Sequence, residues 1–418
     1  MTRTERQREA VKKWIANKGH ASIEAATGFG KTNVGLMTIK SLLKKYPSAR
    51  VLVVVPTTTL KNQWQTKIDE WGFTFNAEVQ VINTVIKHTW TCDLLVLDEE
   101  HRYNSDDFST IFEKVKYKLI LGLTATFERL DGKHVIMQKY CPIVDRIGIL
   151  ECQANGWVSE YKEYVVLIDV DDIAYFKDLN KEFIRYFEFF SYDFNVAKSC
   201  VGKDGWKQAI KLRDQMYKGN DEQVKKDLLK AITVNALALM RNIQKRKLFI
   251  NNHPKKIEIA RKIIKARLDK KIITFSNNVQ MAEAIGIGEV YTGRVSKKRS
   301  ANMIEEFNDV KSGVLNTCAK ANEGLDVRGL SVAIILGTDS SETKARQRRG
   351  RAVRKEEDKI AEIFYIVIKG TTEEKWVKNN HKTDKNYITI DEEGLDKVLR
   401  GENPNPVKQK IGEIMFRF

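Results

Sequence analysis

The stretch Ala25-Ala26-Thr27-Gly28-Phe29-Gly30-Lys31-Thr32 decides how this chain is read. The short run Ala21-Ser22-Ile23-Glu24-Ala25 leads into it, and Val34-Gly35-Leu36-Met37-Thr38-Ile39 follows. The pattern is strand, glycine-rich turn, helix. Glycines let backbone N–H groups turn inward around phosphate oxygens, and the new helix points its positive end at them. Lys31 can then reach the β- and γ-phosphates of a nucleotide, and the Thr32 hydroxyl can bind Mg²⁺. Thr27, Gly28, Phe29 and Gly30 complete the expected cradle. The strict pattern places glycine six residues before the lysine, where this chain has Ala25.

A second stretch supplies what such a loop needs. Leu94-Leu95-Val96-Leu97 runs straight into Asp98-Glu99-Glu100-His101. A strand ending in paired carboxylates brings a second set of oxygens to the nucleotide. Asp98 is placed to hold Mg²⁺, usually through water, and Glu99 to accept a proton from an attacking water. An ordinary acidic loop after a strand is the plainer alternative. The phosphate loop upstream, at a normal distance, weighs against it.

The bulk of the chain fits this start. With 418 residues, two or three domains with full cores are expected. No apolar run approaches the ~20 residues of a membrane span, and Met1-Thr2-Arg3-Thr4-Glu5-Arg6 lacks the apolar core of a signal peptide. The five cysteines are scattered without a C-x-x-C pair, which argues against a disulfide framework, a zinc site or an iron–sulfur cluster. A reducing cytosol is the simplest compartment. Lys and Arg number 72 against 55 Asp and Glu, for a net charge of +17 and a pI near 9.4. Such a field favours a polyanionic partner, nucleic acid first.

Apolar, β-branched runs recur with helical stretches between them: Val51–Val55, Val79–Ile82, Leu94–Leu97 and Leu119–Leu123. Continuous runs of this kind suit strands of a parallel sheet buried on both faces. Residues 1–150 are therefore expected to form one α/β domain. After Gly148 the texture changes. Phe176, Leu179, Phe183, Phe187 and Phe190 recur at spacings of three and four, and Val224, Leu228, Ile232, Leu239 and Ile243 recur similarly. These are amphipathic helices, so 151–250 is expected to be a linker and helical insert. Strand-like runs resume at Lys271–Phe275, Val314–Thr317, Val332–Leu336 and Ile363–Ile368. A second α/β domain is expected over 251–375, with 376–418 as a tail.

Further motifs follow in order, and together they resemble superfamily 2 helicases and translocases. Asp98-Glu99-Glu100-His101 is similar to that family's Asp-Glu-x-His box. Pro56-Thr57-Thr58-Thr59-Leu60 resembles its first nucleic-acid-contacting motif, and Leu123-Thr124-Ala125-Thr126 its Thr-Ala-Thr motif. Ile273-Thr274-Phe275-Ser276 and Tyr291-Thr292-Gly293 resemble the opening motifs of its second domain. Asn322-Glu323-Gly324-Leu325-Asp326-Val327 resembles its Glu-Gly-x-Asp motif, and Gln347 to Arg354 matches Gln-x-x-Gly-Arg-x-x-Arg. The tail of the third motif, Phe127-Glu128-Arg129-Leu130-Asp131-Gly132, resembles the branch that contains XPB and UvsW, although Phe127 stands where proline is usual.

The resemblance implies two RecA-like parallel-sheet domains, ATP and Mg²⁺ as cofactors, and hydrolysis coupled to movement on DNA, most simply 3′→5′. It implies that Arg351 and Arg354, with Gln347, reach across a cleft to the γ-phosphate, where an arginine finger is worth roughly 10³–10⁵ in rate. It assigns Gly324 and Asp326 to the nucleotide, and His101, Thr124 and Thr126 to coupling. Pro56, Thr57, Thr58, Ser276, Thr317 and Arg129 are assigned to the strand backbone. Gln7 stands about where the family's adenine-reading glutamine belongs, without the usual preceding Leu-Arg and aromatic residue.

Some features stay open. The phenylalanine stripe suits a buried helix core better than a base-stacking surface. Lys245-Arg246-Lys247 reads as a DNA-backbone surface, with helix capping as the bland alternative. The rivals to a DNA motor are a non-unwinding duplex translocase of a restriction-type complex, an RNA helicase, and an ATP-gated scaffold that hydrolyses little. A monomer in the cytoplasm is expected, and a compact motor of this kind would suit a phage protein in its host cytosol.

Overall fold

The computed structural model describes residues 1–104, 109–125, 138–318, 327–338, 360–381 and 387–407. Two parallel sheets organise them. The first contains β1 (His20–Ala25), β2 (Val51–Val55), β3 (Ala77–Val81), β4 (Leu94–Asp98), β5 (Leu119–Thr124) and β6 (Ile143–Ile147), in the order β3-β2-β4-β5-β1-β6. Every ladder is parallel, and β1 runs against β5 from His20↔Ile120 to Glu24↔Thr124. All five residues of β2 and of β4 are buried, as a strand covered on both faces requires.

Helices cover both faces of the first sheet. Helix α1 (Arg3–Ala16) starts from a capping box, in which Thr2 and Glu5 satisfy each other's backbone N–H groups. It buries Val11 and Trp14, and the indole N–H of Trp14 donates to Ile120 O at 2.8 Å. Helix α2 (Lys31–Lys45) leaves the phosphate loop, and α3 (Thr58–Glu70) lays Trp64 and Ile68 on the same core.

The second sheet contains β7 (Glu160–Ile168), β8 (Lys271–Ser276), β9 (Glu289–Tyr291), β10 (Gly313–Cys318), β11 (Val332–Ile335), β12 (Ile360–Ile368) and β13 (Ile388–Ile390). Their order is β9-β10-β8-β11-β12-β7-β13. Two of these strands come from segments that the sequence left outside the domain. β7 lies in the stretch expected to be linker, yet it pairs with β12 from Ile360↔Glu160 to Ile368↔Ile168. β13 comes from the tail and closes the edge against β7, with Leu395 and Val398 of the following helix packed on the same core. A parallel strand finds its partner far along the chain, so local sequence does not say which sheet it joins.

Between β7 and β8 stands a helical bundle of α4 (Ile173–Glu188), α5 (Phe194–Ser199), α6 (Gly205–Met216) and α7 (Glu222–Asn252). It has its own core around Phe187, Phe190, Ala236 and Leu239. Phe176 is buried too, and Phe183 packs against the bundle core, so the phenylalanine stripe is helix packing. Among the described residues, no helix is long and apolar enough to cross a membrane.

Candidate functional site

The phosphate loop sits at the carboxyl end of β1. Gly28 and Gly30 have φ of 90° and 96°, backbone that a side chain rarely tolerates. Gly30 caps α2 without any side-chain bond. Among the described residues no backbone acceptor takes the N–H of Gly30, Lys31 or Thr32, so these donors face the loop. Lys31 Nζ rests 3.4 Å from Ala25 O. Ala25, the departure from the strict pattern, is the last residue of β1 and is buried there. Phe29 differs from expectation. Its N–H is already bonded to Ala26 O at 3.1 Å, and its ring is buried against Trp157. It shapes the loop and offers no group to a ligand.

Gln7 reaches the loop from α1. It is buried, and its Nε2 donates to Phe29 O at 2.8 Å. A methyl group on Gly30 would lie 2.6 Å from that nitrogen. Arg6, standing where the family motif has an aromatic residue, is held instead by Asp145 at 2.6 and 3.0 Å and by Glu151 at 2.8 Å.

The acidic box lies at the end of β4, two strands from β1 in the sheet order. Asp98 is buried and accepts a hydrogen bond from the Trp64 indole N–H at 2.8 Å. Burial first, then the Glu99 carboxylate, push its pKa up to about 6, against the pull of Trp64 and of the Lys31 cation. The Lys31 influence ties the loop and the box into one site. Glu99 takes a left-handed backbone, φ 52°, unusual for a residue with a side chain. Its Oε2 is buried with no hydrogen-bond partner among the described residues, 3.5 Å from His101 Nδ1. His101 Nδ1 also lies 3.1 Å from Thr124 Oγ1. The expected coupling pair, box histidine and first motif threonine, is thus in direct contact.

Two residues of the site escaped the sequence reading. Trp64 orients Asp98 from a different helix. Its only signal was that a buried indole N–H needs an acceptor. Glu100 is fully buried beneath the sheet. A Cβ on Gly122 would fall 1.4 Å from Glu100 Oε2, so glycine in β5 makes room for this carboxyl group. Ser22 Oγ lies 2.7 Å from Glu100 Oε2 and 2.9 Å from Cys141 O. A hydroxyl has one hydrogen, so both contacts are satisfied if Glu100 is a neutral acid that donates to Ser22 while Ser22 donates to Cys141 O. Burial, and secondarily the Glu24 carboxylate, raise the Glu100 pKa to about 8, from an ordinary 4.5.

That difference carries a stability signature. Between about pH 4.5 and 8 the unfolded chain has lost this proton and the folded chain still holds it. The unfolded state binds fewer protons there, so stability falls as pH rises through the window. Glu100→Gln keeps the shape and cannot ionise. Its stability loss between pH 5 and pH 8 is expected to be smaller than wild type's by on the order of a few kcal/mol. Urea unfolding at both pH values measures this, and equal slopes in the two proteins would mean that Glu100 is ionised in the fold.

The other expected contacts divide. Thr57 caps α3 by accepting from Leu60 N at 3.3 Å, and Thr58 is exposed beside it. Pro56 is half-buried just before them. Ser276 and Thr317 do not fit the expectation that they touch a strand. Both are fully buried at the ends of β8 and β10, with their hydroxyls bonded to Thr317 O and Thr274 O at 2.8 and 2.7 Å. Arg246 is a further correction. It is half-buried in α7, its guanidinium 4.2 Å from the Phe183 ring centre, and burial lowers its pKa to about 10. Lys245 and Lys247 are exposed, but α7 continues past them to Asn252 and its last turn carries no basic residue, so they do not cap it. Thr126, Arg129, Gly324, Asp326, Gln347, Arg351 and Arg354 lie outside the described residues.

Comparison with known families agrees with this geometry. Residues 1–89 and 74–129 match the model of the type III restriction enzyme res subunit, and 255–356 match the helicase conserved C-terminal domain. The chain is a superfamily 2 helicase. The helicase is 29% identical over 392 residues to the DNA 3′-5′ translocase XPB2 of Sulfurisphaera tokodaii, covering 88% of this chain and 82% of that protein. It is 24% identical to a helicase-like protein of Methanocaldococcus jannaschii named for RNA, and 22% identical to a helicase-like protein of the Sulfolobus islandicus filamentous virus. This helicase spans 56% and 63% of the length of those two. Its fold is similar to that of S. cerevisiae Dbp5 bound to RNA and ADP BeF3, with a TM-score of 0.58 at 12% identity over 94% of this chain and 91% of that one. The two sheets are therefore RecA-like domains, and the enzyme is an ATP-dependent nucleic-acid motor.

Proposed function

We propose that this helicase hydrolyses ATP to move along DNA, 3′→5′, on single-stranded, duplex or branched substrates. The observation that carries DNA over RNA is the similarity to a DNA translocase along 88% of the chain. The net charge of +17 supports a polyanionic track. Backbone contacts carry no sequence code, so movement is expected to be largely independent of sequence.

The residue roles follow from the geometry. Gly30, Lys31 and Thr32 hold the β- and γ-phosphates. The Thr32 hydroxyl and the buried Asp98 carboxylate suit Mg²⁺, which supplies charge neutralisation on the phosphates. The unpartnered Oε2 makes Glu99 the base that takes a proton from water. The His101–Thr124 contact relays the state of the nucleotide to the Thr-Ala-Thr motif. Arg351 and Arg354 act as fingers from the second domain, and Thr57 and Thr58 meet the backbone at the start of α3. The chain divides at about residue 155, with β7 and the tail assigned to the second RecA-like unit and the helical bundle inserted within it.

Phosphate release measured side by side with single-stranded, duplex and forked DNA and with RNA tests this function. Stimulation by DNA well above that by RNA is expected. Stimulation by duplex alone, without strand separation, would favour the restriction-type translocase, to which the match at residues 1–129 also points. Stimulation by RNA alone would overturn the DNA reading.

A further inference from the structure

A cavity of about 520 Å³ opens beside the phosphate loop, lined by Met1, Thr2, Arg3, Glu5, Asn155 and Trp157. Its walls are continuous with the loop. Arg3 Nη1 donates to the carbonyls of Gly28 and Trp157, each at 3.4 Å. The Phe29 ring packs on Trp157 with centroids 5.7 Å apart. Val158 lies 3.1 Å from where a Gly28 side chain would begin. We propose that this cavity is the subsite for the purine base of the nucleotide, read by Arg3, Asn155 and Trp157.

This rests on the phosphate-loop reading above. With phosphates on Gly30–Thr32, the nucleoside must lie close by, and a cavity of this size adjoining Gly28 can hold it. The residues at the family's base-reading positions are engaged elsewhere. Arg6 is held by Asp145 and Glu151, and the Gln7 amide nitrogen by Phe29 O. The cavity offers the chemistry they lack. Arg3 brings a planar guanidinium, which stacks on aromatic faces. Asn155 gives one amide hydrogen to Glu151 O at 3.0 Å and can still present its carbonyl and a second hydrogen to a base edge. A side-chain amide matches the paired donor and acceptor of adenine's N6 and N7. Trp157 is 3% exposed, and its indole N–H has no acceptor among the described residues. A purine ring nitrogen would supply one.

The test is steady-state hydrolysis of ATP and GTP by wild type, Arg3→Ala and Asn155→Ala, with pyrophosphate as a competitor that has no base. Lys31→Ala is run alongside. Wild type is expected to prefer ATP. Each variant should raise KM for ATP about tenfold with little change in kcat, the signature of lost ground-state binding, and should narrow the preference over GTP. Inhibition by pyrophosphate should stay as in wild type. Unchanged KM and unchanged preference in both variants would overturn the base assignment. So would a matching loss of pyrophosphate inhibition, because Arg3 would then only brace the loop. Full turnover in Lys31→Ala would instead remove the phosphate-loop reading itself, so the two failures are separable.

Discussion

Lys31→Ala is expected to lower nucleic-acid-stimulated phosphate release by at least about 10²–10³, the scale of one lost donor at a site of developing charge. The lysine lies half-buried at the start of α2, and its printed bond is a long one of 3.4 Å to Ala25 O. Little of the fold depends on it, so thermal melting should hardly change. Its charge matters more. Lys31 is among the groups that hold down the Asp98 pKa, against burial and Glu99. Without it, Asp98 should keep its proton to a pH above the present value of about 6. The acid limb of any residual activity should then move upward. Near-normal turnover in a folded mutant would remove the phosphate-loop assignment.

Glu99→Gln is the second large effect. The substitution keeps the shape and removes the base, and general-base catalysis is worth about 10²–10⁴ in rate. Binding should survive, because the phosphate cradle is untouched. The variant is therefore expected to form a long-lived, ATP-dependent complex with DNA while releasing almost no phosphate. The left-handed backbone at Glu99 makes the argument stronger. Such a conformation costs on the order of 1–3 kcal/mol and persists where the surroundings hold a side chain in place. Removing the Glu99 anion also removes the second largest influence raising Asp98, so the acid limb should shift downward, opposite to Lys31→Ala. Gel-shift lifetimes and steady-state hydrolysis measure the two halves. Unchanged hydrolysis would rule Glu99 out as the base.

The sequence alone determined the phosphate loop, the acidic box and the sheet-forming runs. Each is a contiguous stretch whose chemistry is local. Glycines at Gly28 and Gly30 permit the turn, Lys31 follows them directly, and an apolar run such as Leu94–Leu97 delivers Asp98 to a strand end. The helix-spaced phenylalanines announced a packed helix for the same reason. Only the tertiary structure decided what depends on two distant segments meeting. Trp64 orients Asp98 across 34 residues, Ser22 meets Glu100 across 78, and β7 pairs with β12 across about half the chain. It also decided direction. Ser276 and Thr317 stand at strand ends where the motif expected a nucleic-acid contact, but alternation along each strand turns their hydroxyls inward to neighbouring carbonyls. Arg246 sits in a basic triplet, yet the face of α7 that meets α4 takes it in among phenylalanines. Residue type sets what a side chain can do. Which partner it meets is fixed by packing between elements far apart in the chain, and that information is not carried by any one stretch.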